Sequence, residues 1–407
     1  MRSFPLLLAL TLALACAPAT AAEIPDSCSL NALAANPSSC DAEIDRASDS
    51  QKPLLLQRRA YMLNEKGRIQ EALRDLDSAL NLDPDLPDAL HERAYTRAET
   101  GDLAGALLDS NREVALRPDH PEAYDERAFI RRSQGDLRGA YEDRARALAL
   151  TPDSIGRMTS KADAALWIGR FDEAAAQAEA ALRLARDKGD DADVREAEAQ
   201  REVVSLWRTP SGASPGKRCA NGFNTAKVEE PKLIGDCTAA FFQSSDRAKK
   251  AEYLTYRSVM WPVVRQGRGR MLADAEVAVS LDSANPDLHV NVGGAYNGVG
   301  RFRAALRAFD RALTMRESFA GLAGRATARY ALEDARGAFA DAKRSFEIRP
   351  NTIALTVLGH LSHDRGDDKS AKLYWMGAYH LGSRDDGLIA SLKSIGVGHP
   401  EREARAR

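Results

Sequence analysis

Neither sign of charge dominates this chain. Its 57 lysines and arginines stand against 59 aspartates and glutamates, for a formal net charge of −2. No Lys/Arg block flanked by aromatics is present, so the usual electrostatic footprint for nucleic acid is missing. Beyond the N-terminus no apolar run approaches the length needed to cross a bilayer. There is no Gly-rich phosphate loop, no serine elbow and no HExxH pair. The chain is therefore not read as an enzyme, and no cofactor, catalytic residue or metal centre is assigned. Cysteine is scarce as well, at five residues.

What is present is ordinary in amount and ordered in pattern. Charged residues make up 29% and hydrophobic residues 44% of 407, enough for a packed core. Arg2 precedes an apolar run at 4–15, and Ala19-Thr20-Ala21 fits a small-x-small cleavage rule. Residues 1–22 are expected to be a signal peptide and the protein to be periplasmic or secreted. Cys16, behind Ala13-Leu14-Ala15, offers the alternative of a lipoprotein anchored through that cysteine. Setting Cys16 aside leaves Cys28, Cys40, Cys219 and Cys237. An even number in an exported chain suggests disulfides. Pairing of near neighbours, 28 with 40 and 219 with 237, is expected; four free thiols are the alternative.

The organising stretch is 121–152, PEAYDERAFIRRSQGDLRGAYEDRARALALTP. It holds two short amphipathic helix patterns, broken by Gly135-Asp136 and closed by Pro152. The same text occurs at 87–118 and 53–84, with closing prolines Pro84, Pro118 and Pro152 spaced by 34. A fixed period in this range marks stacked repeats. Ala60, Gly67, Ala72 and Ala79, then Ala94, Gly101 and Ala106, then Ala128, Gly135, Ala140 and Ala147 fall at matching positions. A fourth copy at 155–188 keeps Ala162, Gly169, Ala174 and Ala181 without its proline. This pattern resembles the tetratricopeptide repeat (TPR) family. The resemblance implies an all-α fold, a solenoid of stacked helix–turn–helix repeats, here in two halves. It also implies protein or peptide partners, held on the concave face formed by first helices.

The expected organisation is a signal peptide at 1–22, a disulfide-clipped cap at 23–52, and an array at 53–208 of about four repeats plus a following helix. A hinge and second clipped segment follow at 209–251, with TPSGASPG at 209–216 as the Pro/Gly/Ser boundary. A second array of about four repeats spans 252–383, its first copy degenerate around Arg257, Gly267 and Ala278, its third with Glu333 where glycine is expected. Residues 384–407 supply a capping helix and a polar tail.

Two sets of residues stand out inside the repeats. Arg59, Arg93, Arg127 and Arg325 occupy a position that is usually apolar in the family, and each is followed sixteen residues later by Asp75, Asp109, Asp143 or Asp341. Where the first position is apolar, as at Val292 and Leu358, the later one is Ala308 or Tyr374. That covariation predicts a buried Arg–Asp pair between the two helices of one repeat; the functional alternative is a charged groove. The second set maps to the concave face: Tyr61, Asp88, His91, Glu92, Tyr95, Glu122, Asp125, Glu126 and Phe129. Its aromatics would give rigid contact area, and its acids would favour a basic partner segment; gap-filling between repeats is the plainer alternative. The family's clamp for acidic chaperone tails is not implied, because Gln57, Tyr61, His91 and Glu92 stand where it needs Lys, Asn and Arg. A different class of function, an envelope enzyme or metal-binding accessory, would rest on His360 and His363, one helical turn apart.

Overall fold

Turns dictated by single residues set the helix pattern. The computed structural model describes residues 25–29, 31–32, 36–208, 215–224, 232–261 and 267–397. The expected signal peptide with Cys16, the hinge residues 209–214 and the tail from 398 lie outside them. Among the described residues the structure is helical, with no strand. By contacts the chain divides into two compact bodies, one ending at Glu92 and one beginning at Arg93.

The first body opens with two 3-10 turns, Asp26–Cys28 and Pro37–Cys40, joined by the Cys28–Cys40 disulfide. Helix α1 (Asp41–Arg46) follows, then the first repeat's pair, α2 (Lys52–Glu65) and α3 (Ile69–Leu82). Gly67 makes the turn between them at φ 71°, a left-handed conformation that costs glycine nothing. Ala60, Ala72 and Ala79 are fully buried, and their small size lets α2 and α3 approach closely. Helix α4 (Pro87–Thr100) comes next.

The second body continues with α5 (Leu103–Leu116), the pair α6 (Pro121–Ser133) and α7 (Leu137–Leu150), and the pair α8 (Ile155–Trp167) and α9 (Phe171–Lys188). Asp102 and Asp136 cap α5 and α7 by accepting from the amides of Gly105 and Gly139. Helix α10 (Asp191–Arg208) packs on both α8 and α9, so the fourth repeat becomes a three-helix unit. Two helices follow, α11 (Pro215–Asn224) and α12 (Lys232–Gln243), crosslinked by Cys219–Cys237. The second clip is thus a helical hairpin, unlike the looped first one: Cys237 lies inside its helix, whereas Cys40 precedes α1. The reason is local. Residues 233–241 are nearly all buried, so that stretch needs a helix's internal hydrogen bonds.

The second array comprises α13 (Arg247–Met260) with α14 (Gly267–Leu281), α15 (Pro286–Gly298) with α16 (Phe302–Met315), α17 (Phe319–Ala331) with α18 (Ala335–Ile348), and α19 (Thr352–His363) with α20 (Asp368–His380). Helix α21 (Asp386–Ser394) covers the last pair with Leu388 and Leu392, both buried. Alternate small and large residues fit the pairs together. A Cβ at Gly293 would stand 2.8 Å from the Phe309 ring, so only glycine lets α15 lie that close to α16. The turn before α18 uses Glu333 at φ 64°, the one non-glycine described residue with positive φ.

The largest buried cluster sits between the arrays. Trp167, Trp207, Phe241, Leu254, Met260 and Trp261 meet there, with Trp167 edge-on to Trp207 at 5.4 Å and to Phe241 at 6.3 Å. Full burial of each such side chain is worth about 1.5–3 kcal/mol. Helices α11 and α12, which lie between the arrays in sequence, therefore belong to the core through Cys219, Leu233, Ile234, Cys237 and Phe241.

Candidate functional site

The arginine–aspartate pairs come together at bonding distance. Nε and Nη2 of Arg59 donate to the two oxygens of Asp75 at 2.7 and 2.7 Å. Arg93 grips Asp109 at 2.9 and 2.7 Å, Arg127 grips Asp143 at 3.0 and 2.6 Å, and Arg325 grips Asp341 at 2.8 and 2.8 Å. The aspartates are the buried partners; the Asp143 side chain is 4% exposed and Arg127 15%. The third arginine nitrogen reaches back to the preceding helix. Arg59 bonds Asp41, Arg127 bonds Asn111 and Arg325 bonds Asp310. Arg59, Arg127 and Arg325 thus each tie the two helices of their own repeat and also the helix before it.

Sequence reasoning missed a second arginine. Arg97, Arg131 and Arg329 donate to the same aspartates at 2.7, 2.8 and 2.8 Å. They also lie within 3.6–3.9 Å of the capping acids Asp102, Asp136 and Asp334. The signal was legible: an arginine four residues after the first, present in the second, third and seventh repeats and replaced by Leu63 in the first. Another pair escaped because its spacing is 17. Arg257 holds Asp274 at 2.8 and 2.8 Å, both side chains essentially inaccessible at 0% and 1%. Trp261 Nε1 donates to Asp274 at 2.7 Å, in the place of the second arginine, and Arg257 reaches back to Thr238. The Arg257 guanidinium lies 3.9 Å from the Trp207 ring centre. Burial pushes the Asp274 carboxyl up, against the pull of Arg257.

The concave-face residues fare unequally. In the first body Tyr61 is exposed, Asp88 exposed, and His91 and Glu92 half-buried. In the second body Tyr95 is 50% exposed. Glu122 and Asp125 are already bonded to arginines. Arg157 donates to Glu122 at 2.7 Å and to Asp125 at 2.8 Å, and Arg144 donates to Asp125 at 2.5 Å. Burial works against the Glu122 carboxylate, but the bond from Arg157 holds it below the ordinary range. Glu126 is half-buried. Phe129 is covered: the guanidiniums of Arg132 and Arg301 each lie 5.7 Å from its ring centre.

Arg301 comes from the second array, and so does the rest of the cover. Arg301 also pairs with Glu99. Arg132 donates to Glu276 on α14 at 3.1 Å, and Tyr296 donates to the same carboxylate at 3.0 Å. Burial pushes both the Glu276 carboxyl and the Tyr296 hydroxyl up. Arg270 on α14 bonds Asp163 on α8 and Gln200 on α10. So α14 lies along the first helices of the third and fourth repeats, where the sequence expected an open groove. Beside it remains a recess of about 590 Å³, walled by α6, α8, α10 and α14.

His360 and His363 both pack on the Trp375 indole, His363 at 5.6 Å from its ring centre. The His360 ring stacks on Tyr330 at 5.6 Å and meets Trp375 edge-on at 5.2 Å; burial lowers its pKa. His363 Nδ1 lies 2.6 Å from Asp368. Among the described residues neither histidine belongs to a group of three metal-ligating side chains close enough to share an ion.

Residues 60–101 match the family model described as TPR repeat. No curated protein matches the chain. Among solved structures, a tetratricopeptide repeat protein from Parabacteroides merdae is similar at 16% identity, over 73% of this chain and 93% of that one, with a TM-score of 0.37. YrrB, titled a TPR protein with an unusual peptide-binding site, is similar at 11% identity over 69% and 95%, TM-score 0.32. Yeast Tom70 is similar at 12% over 88% and 97%, TM-score 0.30. Likenesses at these scores carry no weight for function.

Proposed function

The chain is a tetratricopeptide repeat protein, and from that premise we propose that it is an exported protein–protein interaction scaffold whose partner segment lies against the open part of the concave face around Tyr95. Repeats of this family serve in general as interaction scaffolds rather than as enzymes. The observation that carries the reading is the contrast between two equivalent aromatics in successive repeats. Phe129 is covered by Arg132 and Arg301, while Tyr95 remains half exposed on a rigid helix. A rigid, amphipathic aromatic of this kind is what anchors a partner. A preference for a basic segment finds less support, because Glu122 and Asp125 already hold Arg157 and Arg144. Export is supported by the apolar N-terminal run and by two cysteine pairs at disulfide separation. The metal-binding alternative is not favoured, because His360 is packed between Tyr330 and Trp375 and His363 bonds Asp368.

A photo-crosslinking residue placed at position 95 tests both parts in the native envelope. Adducts are expected from position 95, in the soluble exported fraction, and not from position 108, where Leu108 is 71% exposed on the repeat's second helix. Tyr95→Ala should weaken the partner by roughly 30-fold, as loss of a central aromatic anchor does. Equal adducts from both positions would remove the concave-face reading, and recovery only in the cytoplasm would remove export.

A further inference from the structure

The recess beside α14 is short of hydrogen-bond acceptors. Its floor is alanine: Ala128, Ala140, Ala164, Ala199 and Ala273 leave space that larger residues would fill. Phe129 and Trp167 supply flat apolar wall. The acidic groups of the wall already take donors. Asp163 accepts from Arg270, and Glu196 accepts from Thr159 at 2.7 Å. Two donors are left over. Gln200 is 3% exposed, its Oε1 accepts from Arg270, and its Nε2 has no acceptor. Arg132 directs one nitrogen to Glu276, and its Nε has no acceptor. A buried donor without an acceptor is costly, so such groups mark a missing partner. Arg195 adds positive charge at the same wall, while Arg144 there is already paired with Asp125.

We propose that this recess binds a small organic acid, a carboxylate carried on an aromatic or aliphatic body. The carboxylate supplies the acceptors that Arg132 and Gln200 lack, and charge-assisted bonds from arginine strengthen its hold. The apolar body lies on the alanine floor between Phe129 and Trp167. A volume of about 590 Å³ suits a single compact ligand. This site is separate from the surface around Tyr95, so partner capture there and ligand binding here can fail independently.

The test is calorimetric titration of the full chain with 3-phenylpropionate, its neutral amide, and N-acetyl-Ala-Ala-Phe with a free carboxylate. Intrinsic tryptophan fluorescence, compared between the chain and its Trp167→Phe variant, gives a second reading. The free acid is expected to bind, the amide at least about tenfold more weakly. Ala199→Leu, which fills the recess, and Arg195→Gln, at an exposed position, should each weaken the acid by about tenfold with the melting temperature unchanged. Should Ala199→Leu fail to fold, Arg195→Gln decides alone. Absence of binding, equal binding of the amide, tighter binding of the tripeptide than of the free acid, or indifference to both variants would each overturn the proposal.

Discussion

Arg127 and Arg257 perform the same task in different surroundings. Both grip an aspartate with two nitrogens and reach the preceding helix with the third. At the first site the guanidinium still meets water and a second arginine, Arg131, shares the aspartate. At the second, arginine and aspartate are fully buried, and Trp261 takes the place of the second arginine. The substitution follows from desolvation. Near water a surplus positive charge is tolerable; in the interior it would stand uncompensated, at a cost of several kcal/mol. An indole N–H completes the bonding without adding charge. The repeat at the junction is therefore degenerate in spacing and composition because it is buried, and it keeps the device that the others use.

The largest effect should come from breaking the buried member. Arg257→Met leaves Asp274 in the core with only Trp261 donating to it, and should cost about 3–5 kcal/mol. Replacing both, Arg257→Met with Asp274→Leu, should recover much of that loss, since a well-packed apolar pair avoids the desolvation penalty. Denaturant unfolding of the three proteins checks this. Additive losses in the double variant would mean that the pair is not a unit.

A smaller effect is expected at the half-exposed member. Asp143→Asn leaves Arg127 and Arg131, whose side chains are 15% and 22% exposed, able to turn toward water. The loss should be roughly 1–3 kcal/mol, the range for a charged hydrogen bond rather than a buried ion. The same measurement applied to Asp274→Asn sets the two sites side by side. If the Asp143 variant lost as much stability as the Asp274 variant, burial would not be what separates the two regions.

Much of the fold was legible because repetition reports contacts. Arg59, Arg93, Arg127 and Arg325 co-vary with an acid at one spacing, and the four pairs stand at bonding distance. Gly67, Gly101 and Gly135 mark the turns between repeat helices, each at positive φ. What could not be read is what happens between distant stretches. Nothing in the period of 34 says that Arg301 will cover Phe129, or that Glu276 will meet Arg132 across 144 positions. The Arg257 pair was lost to a one-residue change in spacing, which a periodic search rejects. The recess escaped for a similar reason. Its alanines look like ordinary repeat-packing positions, and only the approach of α10 and α14 turns the space above them into a cavity.

The smallest predicted effect sharpens the comparison from within the exposed class. The seventh repeat carries the same five residues as the third: Arg325, Arg329, Asp334, Gly337 and Asp341 match Arg127, Arg131, Asp136, Gly139 and Asp143. It differs at the turn, where Glu333 holds φ 64° and Gly135 holds φ 81°. A side chain in the left-handed region costs about 1–2 kcal/mol, and glycine's greater freedom when unfolded takes back about 0.5–1 kcal/mol. Glu333→Gly should therefore stabilise α17 and α18 by up to about 1.5 kcal/mol, read as slower amide exchange in those helices and no change in α6 and α7. A destabilising result would mean that the Glu333 side chain makes a compensating contribution, and that the third and seventh repeats differ by more than their turn.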